Sequence, residues 1–107
     1  MKKETGQFIM AKVKYLKSLG PLDGLLFSYI EGICNSGLAF TSSDAAIAKN
    51  LGCSEKTIER SISRLKALNY ILVERKAIPV GVNFYTTRVI AALPDEERLP
   101  VEPIEVI

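Results

Sequence analysis

The feature that most constrains the fold of this chain is a pair of capped helical segments joined by a glycine, over residues 41–70. The sequence there is TSSDAAIAKNLGCSEKTIERSISRLKALNY. We expect Thr41 to cap the first helix, and Asp44 places a carboxylate among the unpaired backbone N–H groups of the first turn. Gly52 can end that helix in the left-handed conformation, and Ser54 can cap the second helix. The sequence therefore predicts two short helices separated by a tight turn.

The second of these helices, expected over residues 55–69, has an apolar face and a basic face. Ile58, Ile62 and Leu65 recur at helical spacing, which predicts the face turned to the core. The opposite side carries Lys56, Arg60, Ser63, Arg64 and Ala67. A helical hairpin of this kind can be a purely structural corner, but the caps, the turn and the basic face agree with a helix-turn-helix motif used for binding.

Composition excludes several classes of protein. The chain has 107 residues, 48% of them hydrophobic and 24% charged, which suits one soluble domain with a single modest core. No apolar run reaches the ~20 residues of a membrane span. No continuous apolar segment follows the basic N-terminus, so a secretory signal is not expected. The sequence thus predicts a cytoplasmic protein without a membrane partner.

The residue types also argue against catalysis. The chain has no histidine and only two cysteines, so one chain cannot build the usual zinc site or a triad with an imidazole base. Cys34 and Cys53 stand where small apolar residues are wanted, and we expect buried free thiols. The acidic residues form no pair in a context that suggests a pocket. We therefore expect no enzyme, no metal ion and no cofactor.

Charge is divided unevenly along the chain. Residues 1–93 hold 13 Lys and Arg against 7 Asp and Glu, a net charge of +6. Residues 94–107 hold one Arg against five acidic residues, a net charge of −4. A basic body indicates a polyanionic partner, and the acidic, proline-containing end is expected to be extended and to behave separately. It either occupies a groove of a protein partner or is a solvated tail.

The remaining segments complete the predicted architecture. Residues 7–15 are expected as a strand or an extended arm, with a helix as the alternative, and a helix is expected over residues 22–36. After the motif, residues 70–76 and 84–90 predict two strands joined by a turn of several residues, 77–83. The apolar tip of that turn is expected to fold back onto the domain; contact with a partner or a minor groove is the alternative. The predicted class is α+β, a three-helix core with a C-terminal β-hairpin.

The motif supports a resemblance to known families. The small and apolar residues at its key positions resemble the helix-turn-helix superfamily: Ile47, Ala48, Leu51, Gly52, Cys53 and Ile58. The continuation YILV at residues 70–73 resembles the winged-helix branch. The resemblance implies a winged-helix DNA-binding domain over residues 7–93. It lies between a polar N-terminus, residues 1–6, that is expected to be disordered and the acidic tail, residues 94–107.

A second resemblance covers about residues 7–90. The segment LGPLDGLLFSYIEG and the run Ser54, Thr57, Ile58 and Arg60 are similar to the N-terminal domains of phage replisome-organiser proteins and plasmid replication initiators. Many transcriptional regulators share such a helix. The replication proteins usually continue into a second domain, which is not among these 107 residues. The resemblance therefore implies an accessory or initiator-type factor.

The winged-helix resemblance also implies site residues. The second motif helix would enter the major groove, while the wing and the helix ends would hold phosphates. The implied groove residues are Ser54, Lys56, Thr57, Arg60, Ser63 and Arg64. The implied backbone and wing contacts are Lys49, Asn50, Arg75, Lys76 and Arg88. Arg60 is the best candidate to read a guanine, because its planar fork matches O6 and N7.

Three functions follow as alternatives. The first is DNA binding in the replication of a phage, plasmid or mobile element. The second is a small transcriptional regulator that binds an operator as a homodimer, and the third is a winged helix that contacts proteins only. Duplex DNA is the favoured partner. Single strands become an alternative if any of four aromatic residues is exposed for stacking: Tyr15, Tyr70, Phe84 and Tyr85.

Overall fold

The computed structural model describes residues 11–100, which form four α-helices followed by a two-stranded antiparallel sheet. The helices are α1 (Val13–Leu19), α2 (Pro21–Asn35), α3 (Asp44–Leu51) and α4 (Glu55–Ala67); the strands are β1 (Ile71–Val80) and β2 (Asn83–Ala92). A 3-10 turn, Asp95–Glu97, follows. The α+β class is confirmed, with one helix more than the three predicted. Within residues 11–100, no helix combines the length and the apolar character that crossing a membrane requires.

The additional helix is α1, where a strand or extended arm was the first expectation. The helix begins at Val13, so the strand prediction is wrong from there on, and residues 7–10 lie outside the described range. Tyr15 turns its ring into the core, and α1 lies directly on α2 at Gly24. A Cβ at Gly24 would stand 2.7 Å from the Tyr15 carbonyl oxygen. Backbone contact of this kind gives α1 a tertiary support that a local sequence pattern does not reveal.

The core lies between the four helices and the base of the hairpin. Phe27 of α2 stands near its centre, with edge-to-face contacts to Tyr15 at 4.7 Å and Tyr70 at 5.1 Å between ring centroids. The fully buried side chains around it are Leu26, Ile30, Phe40, Ile47, Ile58, Leu65, Ile71 and Ile90. The apolar stripe predicted for α4 is thus confirmed, and α2 likewise turns an apolar stripe to the core. Burial of these stripes fixes the orientation of α4 and hence of its outer side.

The caps predicted for the end of α3 and the start of α4 are confirmed, whereas the cap at the start of α3 is a different residue from the one predicted. The Ser54 hydroxyl accepts the Thr57 N–H at 3.2 Å, and Gly52 has φ +73°, so both predictions are confirmed. The cap of α3, however, is Ser43, whose hydroxyl accepts the Ala46 N–H. The Thr41 prediction is wrong because the adjoining Phe40 pairs with β2 and keeps the chain extended.

The hairpin is longer than predicted. Val80 pairs with Asn83, so Gly81 and Val82 alone form the turn, and the seven-residue turn over residues 77–83 is wrong. Gly81 has φ +62°, as the first position of a type II′ turn requires. Pro79 is tolerated inside β1 for a reason of register. Pro79 stands at a position of the ladder where the backbone N–H points away from the partner strand. Ile90 stands at an equivalent position of β2, and its N–H donates to the Phe40 carbonyl outside the hairpin. The missing N–H of Pro79 therefore costs no hydrogen bond between β1 and β2.

Residues 94–100 pack on the domain, in contrast to the predicted separate tail. The Leu99 N–H donates to the Leu68 carbonyl at 2.9 Å. The Arg98 side chain is 9% exposed, and its guanidinium lies over the rings of Phe27 at 4.8 Å and Tyr70 at 5.1 Å. Cation–π contacts with three buried rings, that of Tyr15 included, hold this segment in place. The rest of the predicted tail, residues 101–107, lies outside the described range.

Glu31 connects α1, α2 and the C-terminal segment. We expect it to make the free energy of unfolding depend on pH in the acidic range. Its carboxylate accepts hydrogen bonds from Lys12 Nζ at 2.9 Å, the Tyr15 hydroxyl at 2.8 Å and Arg98 Nη2 at 3.4 Å. Burial alone raises the pKa of Glu31, but the bonds from Lys12 and Tyr15 outweigh burial and hold the pKa below its ordinary value of 4.5. A lowered folded-state pKa stabilises the protein above pH 4.5, and that contribution is lost as the pH falls through the folded pKa.

Glu31→Gln should therefore flatten the fall in unfolding free energy below pH 4.5. Urea denaturation of both proteins over a pH series measures the difference. Equal acid slopes for wild type and variant would contradict the role given to Glu31.

Candidate nucleic-acid interface

The outer side of α4 presents a row of three exposed polar side chains. Lys56, Arg60 and Ser63 recur at i, i+4 and i+7, opposite the buried residues of the same helix. We call these three residues the outer row. Lys56 makes an exposed ion pair with Glu59 at 3.4 Å. Arg60 forms no ion pair with any residue between 11 and 100, so its five N–H donors face solvent.

The two predicted site residues at the start of α4 serve its cap. Ser54 Oγ accepts the Thr57 N–H, and the two hydroxyls share a further hydrogen bond of 2.9 Å. This arrangement orders the first turn of α4. A direct contact of Ser54 or Thr57 with a ligand stays a prediction, as it does for Ser63.

Arg64 has a protein partner that the sequence did not reveal. Its Nε and Nη2 donate to Asp23 of α2 at 2.7 and 2.9 Å, a two-point ion pair. Asp23 Oδ1 also accepts the hydroxyl of the fully buried Ser61. The guanidinium of Arg64 is thus directed to α2, on the flank of α4 and not in the outer row. While this pair is formed, those N–H groups are not available to a guanine.

Arg88, one of the implied wing contacts, does not face outward from the hairpin. Its side chain is only 20% exposed. Nη1 donates to Asp44 Oδ1 and Nη2 to the Ser42 carbonyl, both at 2.7 Å. The reason is strand parity, because Arg88 is two residues from the buried Ile90 and shares its face. Arg88 therefore ties β2 to the start of α3 and neutralises Asp44.

The two hairpin cations of β1 lie on opposite faces. Arg75 pairs with Arg88 across the sheet and shares the inner face with the buried Ile71, whereas Lys76 lies on the outer face near Glu74, at 3.8 Å. Arg75 borders a groove of about 360 Å³ where the hairpin meets the starts of α3 and α4. The other residues that line it are Thr41, Ser42, Ser43, Asp44, Ala45, Glu55, Thr86, Thr87 and Arg88. The structure thus brings Arg75, but not Lys76, toward α4.

Lys49 and Asn50 lie exposed at the end of α3. Asn50 Nδ2 donates to the Tyr29 hydroxyl at 3.0 Å, which fixes the amide against α2. Lys49 has no ion-pair partner in the described part of the chain. A phosphate contact by either residue stays a prediction.

The apolar end of the hairpin, which is evident in the sequence, is exposed to solvent. Val82 is 94% and Phe84 70% exposed, and Val80 and Tyr85 are also exposed. The expectation that the tip folds back onto the domain is therefore wrong. Of the four aromatic residues considered for stacking, Tyr15 and Tyr70 are buried in the core, while Phe84 and Tyr85 are open to solvent. The strand register, with a two-residue turn, is the signal that would have placed them outside.

Cys34 and Cys53 are free thiols and are half-buried, less buried than predicted. Cys34 Sγ donates weakly to the Ile90 carbonyl at 3.6 Å.

The arrangement suits contact with a polyanion: an anchored helix, whose Arg60 has no ion-pair partner among residues 11–100, stands next to a hairpin with a basic inner edge. Both elements are held by buried side chains and by ion pairs between elements. No protein-family model, curated protein or solved structure matches this chain.

Proposed function

We propose that the chain is a winged-helix protein that binds duplex DNA, with α4 in the major groove and the hairpin as the wing. The observation that carries the proposal is Arg60: exposed, without an ion pair to any described residue, and central in the outer row. A helix of 13 residues is about 20 Å long, and the major groove admits such a helix. Ile58, Ile62 and Leu65 anchor α4 from behind, which limits its freedom before binding.

The distribution of charge on α4 supports this orientation. At about 100° per residue, Glu55 and Glu59 lie on one flank of the helix and Arg64 on the other, outside the outer row. The outer row, which would lie nearest the bases of the major groove, therefore carries the cations Lys56 and Arg60. Arg75 on the wing supplies a phosphate contact, since Arg88 already neutralises Asp44 beside it. The acidic flank keeps the positive field moderate, so affinity should be moderate, and it should fall as the salt concentration rises because phosphate contacts contribute to it.

Fluorescence anisotropy with matched duplex and single-stranded oligonucleotides over a salt series tests the proposal. We expect duplex binding with a log–log salt slope of roughly −3 to −5, which corresponds to a few phosphate contacts. Arg60→Ala should weaken binding by about 1–3 kcal/mol, the range for one lost bidentate base contact. Lys17→Ala, which removes an exposed cation of α1, is the matched control and should change affinity far less.

The possible failures of this experiment point to different conclusions. Equal losses for Arg60→Ala and Lys17→Ala would show that α4 does not read the DNA. Tighter binding of single strands with a silent Arg60→Ala would place the interface on the hairpin. An absence of binding even at low salt would leave the protein-interaction role as the remaining alternative.

For the cellular role we propose replication of a phage, plasmid or mobile element, on the strength of the resemblance over residues 7–90. A footprint on origin DNA is the expected result. Protection of two symmetric half-sites separated by about 34–36 Å, one helical turn, would instead support a dimeric transcriptional regulator.

A further inference from the structure

The distal end of the hairpin is an apolar surface without a packing partner in the described chain. We call Pro79, Val80, Val82, Phe84 and Tyr85 the wing tip; all five are exposed. Exposed apolar clusters reduce solubility and commonly mark interaction sites, so we expect the wing tip to bind a partner.

The wing tip has two different faces. Phe84 pairs with Pro79 on the inner face, the one that also carries Arg75 and turns toward the starts of α3 and α4. Tyr85 pairs with Ile78 on the outer face, together with Lys76. Phe84 therefore lies on the side of the hairpin proposed to face DNA, and Tyr85 lies on the opposite side.

The charge around the wing tip identifies the kind of partner. From residue 75 to residue 94 the sequence holds three cations, Arg75, Lys76 and Arg88, and no Asp or Glu. An apolar wing tip next to three cations suits a partner whose surface is anionic and whose interior consists of stacked apolar rings. DNA has both features. Pairing with another strand along β1 is disfavoured because Pro79 lacks the N–H that would point to that edge.

We propose that Phe84 and Pro79 form an apolar wedge that enters the minor groove beside the α4 site and partly unstacks one base step. This inference rests on the proposed function. From Arg75 to Pro79 the strand advances by about 13 Å at 3.3 Å per residue. With Arg75 on a phosphate, the wing tip reaches the groove beyond that backbone. Phe and Pro are side chains that kink DNA when inserted between bases, and TA steps open most easily.

A duplex with 2-aminopurine at a TA step under the wing tip tests the wedge. We expect saturating wild-type protein to raise the 2-aminopurine fluorescence severalfold, and only when the probe occupies that step. Phe84→Ala should abolish the rise while anisotropy on the same duplex still reports binding. Tyr85→Ala, an aromatic loss on the outer face of the same hairpin, is the control and should keep the rise.

The two readouts separate the wedge from the proposed function. Duplex binding by the wild type without a fluorescence change at any step overturns the wedge and leaves DNA binding standing. No duplex binding overturns both. Binding to phosphatidylserine–phosphatidylcholine vesicles that Phe84→Ala removes, without any change in 2-aminopurine, also overturns the wedge and assigns the wing tip to a lipid surface.

Discussion

Replacing Phe27 with alanine should lower the free energy of unfolding by about 4 kcal/mol, within the range for a fully buried phenylalanine. Phe27 is 0% exposed and packs edge-to-face against Tyr15 and Tyr70. Its ring also carries the Arg98 guanidinium at 4.8 Å. The substitution thus leaves a cavity between α1, α2 and the C-terminal segment together. A loss of this size is a large share of the stability of a domain of 107 residues.

Phe84→Ala is the matched control, because it makes the same substitution at a side chain that is 70% exposed. We expect its unfolding free energy to stay within about 0.5 kcal/mol of wild type. Urea denaturation followed by circular dichroism measures both variants. Similar losses for the two would mean that Phe84 is buried in solution, which would also remove the basis of the wedge. A mild effect of Phe27→Ala would contradict the packing of the C-terminal segment on its ring.

The parts of the fold that local chemistry determines could be predicted from the sequence. Ile58, Ile62 and Leu65 define the buried face of α4 by their spacing alone, and Ser54 caps the helix through a bond to a residue three positions away. Gly52 likewise ends α3 through its own backbone conformation. In each case the interacting groups lie within a few residues of one another, so the sequence pattern contains the whole interaction.

The parts that depend on distant partners could not be predicted in this way. Arg64 meets Asp23 across 41 residues and Arg88 meets Asp44 across 44. Both arginines were therefore taken for ligand contacts, since a free cation on a basic face is what the sequence alone shows. Arg98 was assigned to an acidic tail for the same reason, although its guanidinium lies over three rings: one from α1, one from α2 and that of Tyr70, just before β1. Long-range ion pairs thus reduce the number of free cations at the candidate interface.

The second large effect is expected for Asp23→Ala, which should lower the free energy of unfolding by about 3 kcal/mol. Asp23 is buried and accepts three hydrogen bonds, from Ser61 Oγ and from Nε and Nη2 of Arg64. Its removal leaves the hydroxyl of a fully buried serine without this partner and removes the ion pair between α2 and α4. Because the carboxylate is shielded from water, the loss should persist at about 1 M salt, where exposed ion pairs are screened.

Arg64→Ala separates the contributions of this cluster. The Arg64 side chain is 54% exposed and can be replaced by water, while Asp23 keeps its bond to Ser61, so a loss of about 1 kcal/mol or less is expected. Equal losses for Asp23→Ala and Arg64→Ala would assign the stabilisation to the ion pair and not to the buried serine. The same variant also decides the role of α4 in binding. If Arg64→Ala weakens duplex binding as much as Arg60→Ala does, then Arg64 leaves Asp23 to contact DNA; if not, the outer row alone reads the groove.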